Sequence, residues 1–286
     1  MKLIIFTKPL SGIFTAVLIA LFIVLTATGQ TLTIHILAVG HGDAIFIEFP
    51  QGSSMLVDAG STQMGRYVSN FMQDLGYQTL DYLVLTHSHE DHLGGLLQVI
   101  DDMKIKQIWE CPYLERWELT EQYREKVVEK KIDVHYPFRG DIFIIDQVLV
   151  EILHPPRGSS LDELRGSNGA SMVMKLTLGK TSALLAADID SDTDTELVEE
   201  YGDRLQAALL KCPHHGSAVS NSETFLSTVA PQIAVVSTGP SEWGYPAQST
   251  ISRITLHCEQ IFRTDEDGDI VIELDGENLQ VIQPQP

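Results

Sequence analysis

Apolar residues recur in short runs along the chain from residue 31 onward, each run closed by a cluster of polar or turn-forming residues. Their β-branched and aromatic content predicts strands. Runs at 32–38 and 44–49 flank the turn Val39-Gly40-His41-Gly42-Asp43, and those at 54–57 and 82–85 read as buried strands. Helices are predicted at 93–102 and at 116–131, the second with charges distributed around it. Further strands follow at 148–153, 171–178 and 183–187. After them come a helix at 194–201, a strand at 208–211, a helix at 222–227, a strand at 233–237, a helix at 249–258, and closing strands at 269–274 and 279–282. The stretch 110–139 reads as pocket-lining chain of unspecified shape. No repeat, linker or low-complexity tract divides residues 31–286, so they form one domain. Strand-rich chain with helices interspersed predicts helices covering the outer faces of two packed sheets.

Residues 1–30 follow a different pattern. Lys2 and Lys8 precede 10–27, a stretch with no ionisable residue and rich in Ile, Leu, Val and Phe. Its length lies between a signal-peptide core and a short membrane span. Ala27-Thr28-Gly29 would suit a signal peptidase, leaving Gln30 first; a buried N-terminal helix is the competing reading. With both lysines on the near side, the positive-inside rule places the domain across the membrane, secreted or anchored by residues 9–29.

Acidic residues outnumber basic ones by 39 to 19, a formal charge of −20. Such a surface repels polyanions at long range and lacks the basic stripe of non-specific DNA binding. That counts against a nucleic-acid substrate without excluding it, because divalent metals reverse the sign locally. Cys111, Cys212 and Cys258 are too few and scattered for a disulfide framework or a cysteine metal site.

The chemistry concentrates in Leu85-Thr86-His87-Ser88-His89-Glu90-Asp91-His92-Leu93-Gly94-Gly95, where three of the chain's ten histidines share six residues with an aspartate. A loop leaving a strand end can turn several such side chains to one point. Imidazole suits zinc and other borderline divalent metals, and a carboxylate adds a hard oxygen and neutralising charge. Asp188 ends an apolar strand and could bridge two metals; taken alone it would serve as a helix cap or turn residue. Lys211-Cys212-Pro213-His214-His215 follows another buried strand and reads as ligand pair or loop. Asp58, at a strand end, and Asp43 are candidates to hold ligands from behind. Asn168 and Ser171 could contact substrate or metal, or simply form a turn between glycines. His154 is a further ligand candidate or a structural loop histidine.

The segment HSHEDH, with Asp188 and the later histidines, resembles the metallo-β-lactamase superfamily, whose hallmark is HxHxDH. AVGHGDA (38–44), LVDAG (56–60), THSHEDHLGG (86–95), SNGASMVMKL (167–176), LLAADI (184–189), LKCPHHGS (210–217) and FRTDEDGDI (262–270) are similar, in that order, to the extracellular hydrolase domain of the ComEC competence family. The resemblance spans roughly residues 32 to 283. It implies an α+β, four-layer αββα sandwich and a two-metal site. It also points to phosphodiester chemistry, since ComEC is associated with degrading one DNA strand and cell-surface choline-phosphate esterases share the plan. His41 stands where that family reads VGQGD, and Tyr245, within Ser241-Glu242-Trp243-Gly244-Tyr245-Pro246, stands where it has histidine. The family's multi-span channel domain has no counterpart in the motif series, so the resemblance bears on hydrolysis more than on DNA uptake.

These residues lead to a definite expectation. Two divalent metals, zinc or manganese, would lower the pKa of a shared water. His87, His89 and Asp188 would hold one; Asp91, His92, Asp188 and one of the 214–215 pair, His215 favoured, the other. His214 would donate to substrate, Asp91 would orient the nucleophile's proton, and Lys211 or Tyr245 would stabilise charge on the reacting oxygens. The expected substrate is a phosphodiester, small or nucleic acid. Hydrolysis of a lactam or lactone ring and a non-catalytic anchored binding module are the competing readings.

Overall fold

The computed structural model describes residues 31–240 and 243–284, so the leader reading of residues 1–30 and the pair at 241–242 lie outside the described residues. Strands β1 (Leu32–Ile36), β2 (Ile45–Glu48) and β3 (Ser54–Val57) form an antiparallel meander. β4 (Thr79–Leu85), β5 (Lys104–Glu110) and β6 (Asp133–His135) then add in parallel. β7 (Ile142–Ile145), β8 (Val148–His154), β9 (Val173–Leu178) and β10 (Thr181–Leu185) repeat the antiparallel theme in a second sheet. β11 (Leu209–Lys211), β12 (Ile233–Val236) and β13 (Gln260–Arg263) extend it in parallel. The chain returns to the first sheet through β14 (Ile270–Leu274), beside β1, and β15 (Leu279–Pro284). The sheet orders are β15-β14-β1-β2-β3-β4-β5-β6 and β13-β12-β11-β10-β9-β8-β7.

The two-residue period of each strand sorts its side chains between layers. Leu32, Ile34 and Ile36 of β1 and Ile45 and Ile47 of β2 meet Val148, Val150, Met174, Leu176 and Leu185 of the other sheet in a central core. The alternate residues Phe46, Leu56, Leu83 and Leu85 face outward onto helices α1 (Gly65–Asp74), α3 (Leu96–Asp102) and α4 (Glu118–Lys130), with the short α2 (Glu90–Leu93) between. On the opposite side Leu184, Leu210, Ala234 and Val236 face α5 (Ser191–Tyr201), α6 (Glu223–Val229) and α7 (Gln248–His257). The helix expected at 93–102 is broken into α2 and α3. A Cβ on Gly95 would sit 2.0 Å from the Ala59 carbonyl oxygen, so the chain passes here in backbone contact with the loop after β3. No helix among the described residues is long and apolar enough to cross a membrane.

His154, at the end of β8, is fully buried and its Nδ1 faces the Ser171 carbonyl at 3.0 Å. Burial depresses its pKa from 6.5 to about 4. The folded imidazole stays neutral down to about pH 4, while the unfolded one takes up a proton near pH 6.5. Stability from the neutral form is therefore complete above pH 6.5 and lost as pH falls through 4, amounting to up to about 3 kcal/mol. Urea unfolding of wild type and His154→Gln at several pH values should show the difference between them shrinking across that window. A difference independent of pH would contradict the assignment.

Candidate metal centre

Four of the predicted chemical segments follow the carboxyl ends of parallel-paired strands: Asp58 after β3, His87 to His92 after β4, Asp188 after β10 and His215 after β11. Such ends are where open α/β sheets gather ligand-binding loops. Here the ends belong to two facing sheets, and their loops meet.

His92 is wholly buried, and its Nδ1 lies 2.8 Å from Asp58 Oδ2. Asp58 is fixed in turn by the Thr86 backbone N–H at 2.9 Å and the Thr86 hydroxyl at 2.6 Å. Because the Thr86 hydroxyl donates to Asp58, it is left to accept from His87 Nδ1 at 3.1 Å. His215 Nδ1 faces the Ser237 carbonyl at 2.9 Å. In all three rings an oxygen acceptor holds a proton on Nδ1 and turns Nε2 toward the centre, the arrangement that orients metal-ligating imidazoles.

Those Nε2 atoms converge on Asp188 Oδ2, at 3.2 Å from His215, 3.3 Å from His92 and 3.9 Å from His87. The His92 and His215 Nε2 atoms are only 3.3 Å apart. Asp91 Oδ2 completes a second corner, 3.4 Å from His215 Nε2 and 3.9 Å from His92 Nε2. Ligand atoms of Asp91, His92, Asp188 and His215 all lie within 4.8 Å of one another. His87 Nε2 and Asp188 Oδ1 are buried without a hydrogen-bond partner, an arrangement that is costly unless something polar joins them. His89 stacks on the Trp117 indole, with ring planes 4° apart, and its ring centroid is 4.7 Å from that of His87.

Charge follows the same pattern. Burial alone would lower the His215 pKa, yet Asp188, Asp91 and Asp43 push it up to about 9. His92 is likewise held well above its usual range by Asp188, Asp91 and Asp58 in spite of burial. Against burial, His215 and His92 hold the Asp188 carboxyl well below the usual carboxylate range, and His92 and His215 do the same for Asp91. His87 goes the other way, its pKa depressed by burial and by the neighbouring His92. Anionic carboxylates thus favour positive charge where the Nε2 atoms converge, charge that a divalent cation would supply in place of the His92 and His215 Nε2 protons. The donor set, imidazoles that would become neutral on losing their Nε2 protons to a cation together with carboxylates, fits zinc or manganese.

The remaining predicted residues fall in two groups. Asn168, His214 and Tyr245 line a cleft of about 390 Å³ with His89, Asp91 and Asp188. In it, Asn168 Nδ2 lies 3.3 Å from His214 Nε2, and the Tyr245 ring centroid is 5.4 Å from that of His214. No lysine or arginine among the described residues lines the cleft. Lys211 and Ser171 do not reach it, which corrects two expectations. Lys211 is 0% exposed, with Nζ ion-paired to Asp43 Oδ2 and 3.4 Å from the Ala187 carbonyl. It lies on the same strand face as Leu209, which points into the core between the sheets. Ser171 is buried behind the site, and its carbonyl serves His154. The sequence reading passed over His41 as a site residue. It lines the cleft with Nε2 3.3 Å from Asp91 Oδ2. A histidine between two glycines, in the same turn as Asp43, was the available signal.

Comparison with known proteins agrees with this geometry. The family model described as "Metallo-beta-lactamase superfamily" matches residues 37–239. The chain is 26% identical over 283 residues to ComE operon protein 3 of Bacillus subtilis (strain 168), covering 91% of this chain and 35% of that protein. It is 30% identical over 194 residues to competence protein ComA of Neisseria gonorrhoeae, covering 68% of this chain and 25% of that one. The chain thus spans about a third or less of the length of these curated relatives. Among solved structures, YhfI of Bacillus subtilis, titled a metallo-beta-lactamase fold protein, superposes with a TM-score of 0.56 at 13% identity, over 86% of this chain and 100% of that one.

Proposed function

The chain belongs to the metallo-beta-lactamase superfamily, and on that footing we propose that it is a metal-dependent phosphodiesterase acting outside the cytoplasm. The observation that carries the reading is the convergence of the His87, His92 and His215 Nε2 atoms on Asp188 Oδ2 beside Asp91. In this reading His87, His89 and Asp188 would hold one cation, and Asp91, His92, Asp188 and His215 the other. Divalent cations held there would supply the chemistry of lowering the pKa of a water and polarising the scissile bond. Asp91 Oδ2 faces both His215 and the open cleft, and so orients the proton of an entering water. The Asn168 amide N–H that is not donated to His214 Nε2 and the Tyr245 hydroxyl offer donors to phosphoryl oxygens on the cleft wall. Asp58, Thr86 and the Ser237 carbonyl hold the Nδ1 protons in place, so the ligating nitrogens need no reorganisation. Similarity to ComEC-like competence proteins favours a phosphodiester over a carbonyl substrate.

Purified chain is expected to hydrolyse bis-p-nitrophenyl phosphate with zinc or manganese, to lose that activity on chelation and to regain it on metal addition. Turnover of a lactam or lactone panel without phosphodiester turnover would overturn the substrate class. Absence of any metal-dependent hydrolysis would point to a binding module. Asn168→Ala should lower kcat/KM by on the order of 100-fold with metal content unchanged, as loss of a preorganised donor does elsewhere. A wild-type kcat/KM in that variant would remove Asn168 from substrate contact.

A further inference from the structure

We propose that His41 is an additional cation-holding side chain of the centre, completing its Asp91 corner. The inference rests on the metal-dependent hydrolase reading. His41 lies in the turn between β1 and β2, a part of the chain that the His-rich segment after β4 does not contain. Gly40 has φ +78° and Gly42 φ +131°. A Cβ on Gly42 would come within 2.2 Å of the Asp91 carbonyl oxygen, and one on Gly239 within 2.5 Å of Gly40 Cα. The Asp43 backbone N–H donates to the Asp91 carbonyl at 3.2 Å, and the Ser237 hydroxyl to the Gly42 carbonyl at 2.7 Å. The backbone of the turn is therefore wedged between the Asp91 segment and the loop after β12, which fixes where the His41 side chain starts.

The spacing of the ring is informative. His41 Nε2 is 3.3 Å from Asp91 Oδ2, matching the 3.3 Å between His92 Nε2 and His215 Nε2 and the 3.2 Å between His215 Nε2 and Asp188 Oδ2. Two atoms bound to one zinc at roughly 2.0–2.2 Å and a tetrahedral angle lie about 3.3–3.5 Å apart. A charge-assisted N–H···O bond would be shorter, about 2.7–2.9 Å. The His41 and His215 ring centroids are 4.4 Å apart, so the two imidazoles face the same carboxylate. Unlike Nδ1 of His87, His92 and His215, His41 Nδ1 is buried with no hydrogen-bond partner, so the packing of the turn and not an oxygen acceptor positions this ring. The carboxylate, two imidazoles and an open cleft at this corner form a donor set of one kind, suited to a borderline divalent metal.

The test is metal binding by the full-length chain, measured by equilibrium dialysis against buffered zinc, for wild type and His41→Gln. The expected result is two metals per wild-type chain and, in the variant, a loss of roughly 10- to 100-fold in affinity for one of them, at the scale seen for metal-site neighbours. The visible spectrum of the cobalt-loaded protein should change with it. Unfolding of the metal-free variant is followed in parallel, and His41→Asn replaces His41→Gln if the latter melts earlier. Equal affinity for both metals and an unchanged cobalt spectrum overturn the role of His41 alone. A wild-type chain that takes up no metal overturns this inference and the hydrolase reading together.

Discussion

Asp188→Ala is expected to abolish both stable metal occupancy and hydrolysis. The carboxylate is 1% exposed and is the single point on which three imidazole Nε2 atoms converge. It belongs to both proposed ligand sets, so its removal weakens each. Loss of a hydrogen-bond partner behind a ligand costs roughly 10–100-fold in metal affinity or activity; loss of a shared ligand should exceed that. Asp188→Asn keeps the shape and removes the charge, and should retain at most one weakly held metal. Metal content per chain and kcat for bis-p-nitrophenyl phosphate are the measurements. Two metals and wild-type turnover in Asp188→Ala would exclude the bridging role.

Lys211→Met should produce the largest change in stability, about 3–5 kcal/mol, because it leaves the buried Asp43 carboxylate without its cation. Burial alone would lower the Lys211 pKa, but Asp43 and Asp188 hold it above the usual lysine value, so the residue is a fixed positive charge. An uncompensated Asp43 would also disturb the centre. Its carboxylate oxygens lie 3.9 Å from His92 Nδ1 and 3.7 Å from His215 Nδ1, where they would compete with Asp58 and the Ser237 carbonyl. Urea unfolding of metal-free wild type, Lys211→Met and the double variant Lys211→Met/Asp43→Asn provides the test. The double variant should recover much of the loss. A cost below about 1 kcal/mol for Lys211→Met, the scale of an exposed ion pair, would contradict the buried pairing.

Much of this architecture can be read along the chain, since strand faces and metal-suited side chains both leave local patterns. β1, β2, β8, β9 and β14 alternate or run apolar, and the histidines after β4 and β11 are dense enough to stand out. β7 carries an apolar run, Ile142–Ile145, that the expectation left out, whereas β5, β6 and α1, also missed, lack such patterns. β5 opens with Lys104 and Lys106 exposed, β6 is a three-residue strand with two exposed positions, and α1 begins at a glycine without a side-chain cap. Lys211 was misplaced because a lysine beside a cluster of ligands reads as a charge facing substrate, whereas the strand period sends it inward to meet Asp43. His41 needed the third dimension. Nothing local indicates that the turn after β1 abuts the loop after β4, which lies some fifty residues downstream.

The position of β14 beside β1 sets the order in which the molecule can be assembled. The seven strands from Ile142 to Arg263 form a sheet of consecutive chain, but β1 at Leu32–Ile36 lacks its second neighbour until Ile270–Leu274 has been made. During synthesis or threading the chain therefore carries an open, apolar edge for most of its length, the situation that slows folding and invites mispairing. Loss of β14 and β15 would leave that edge permanently exposed, so truncation before residue 270 should yield aggregates rather than a smaller folded domain.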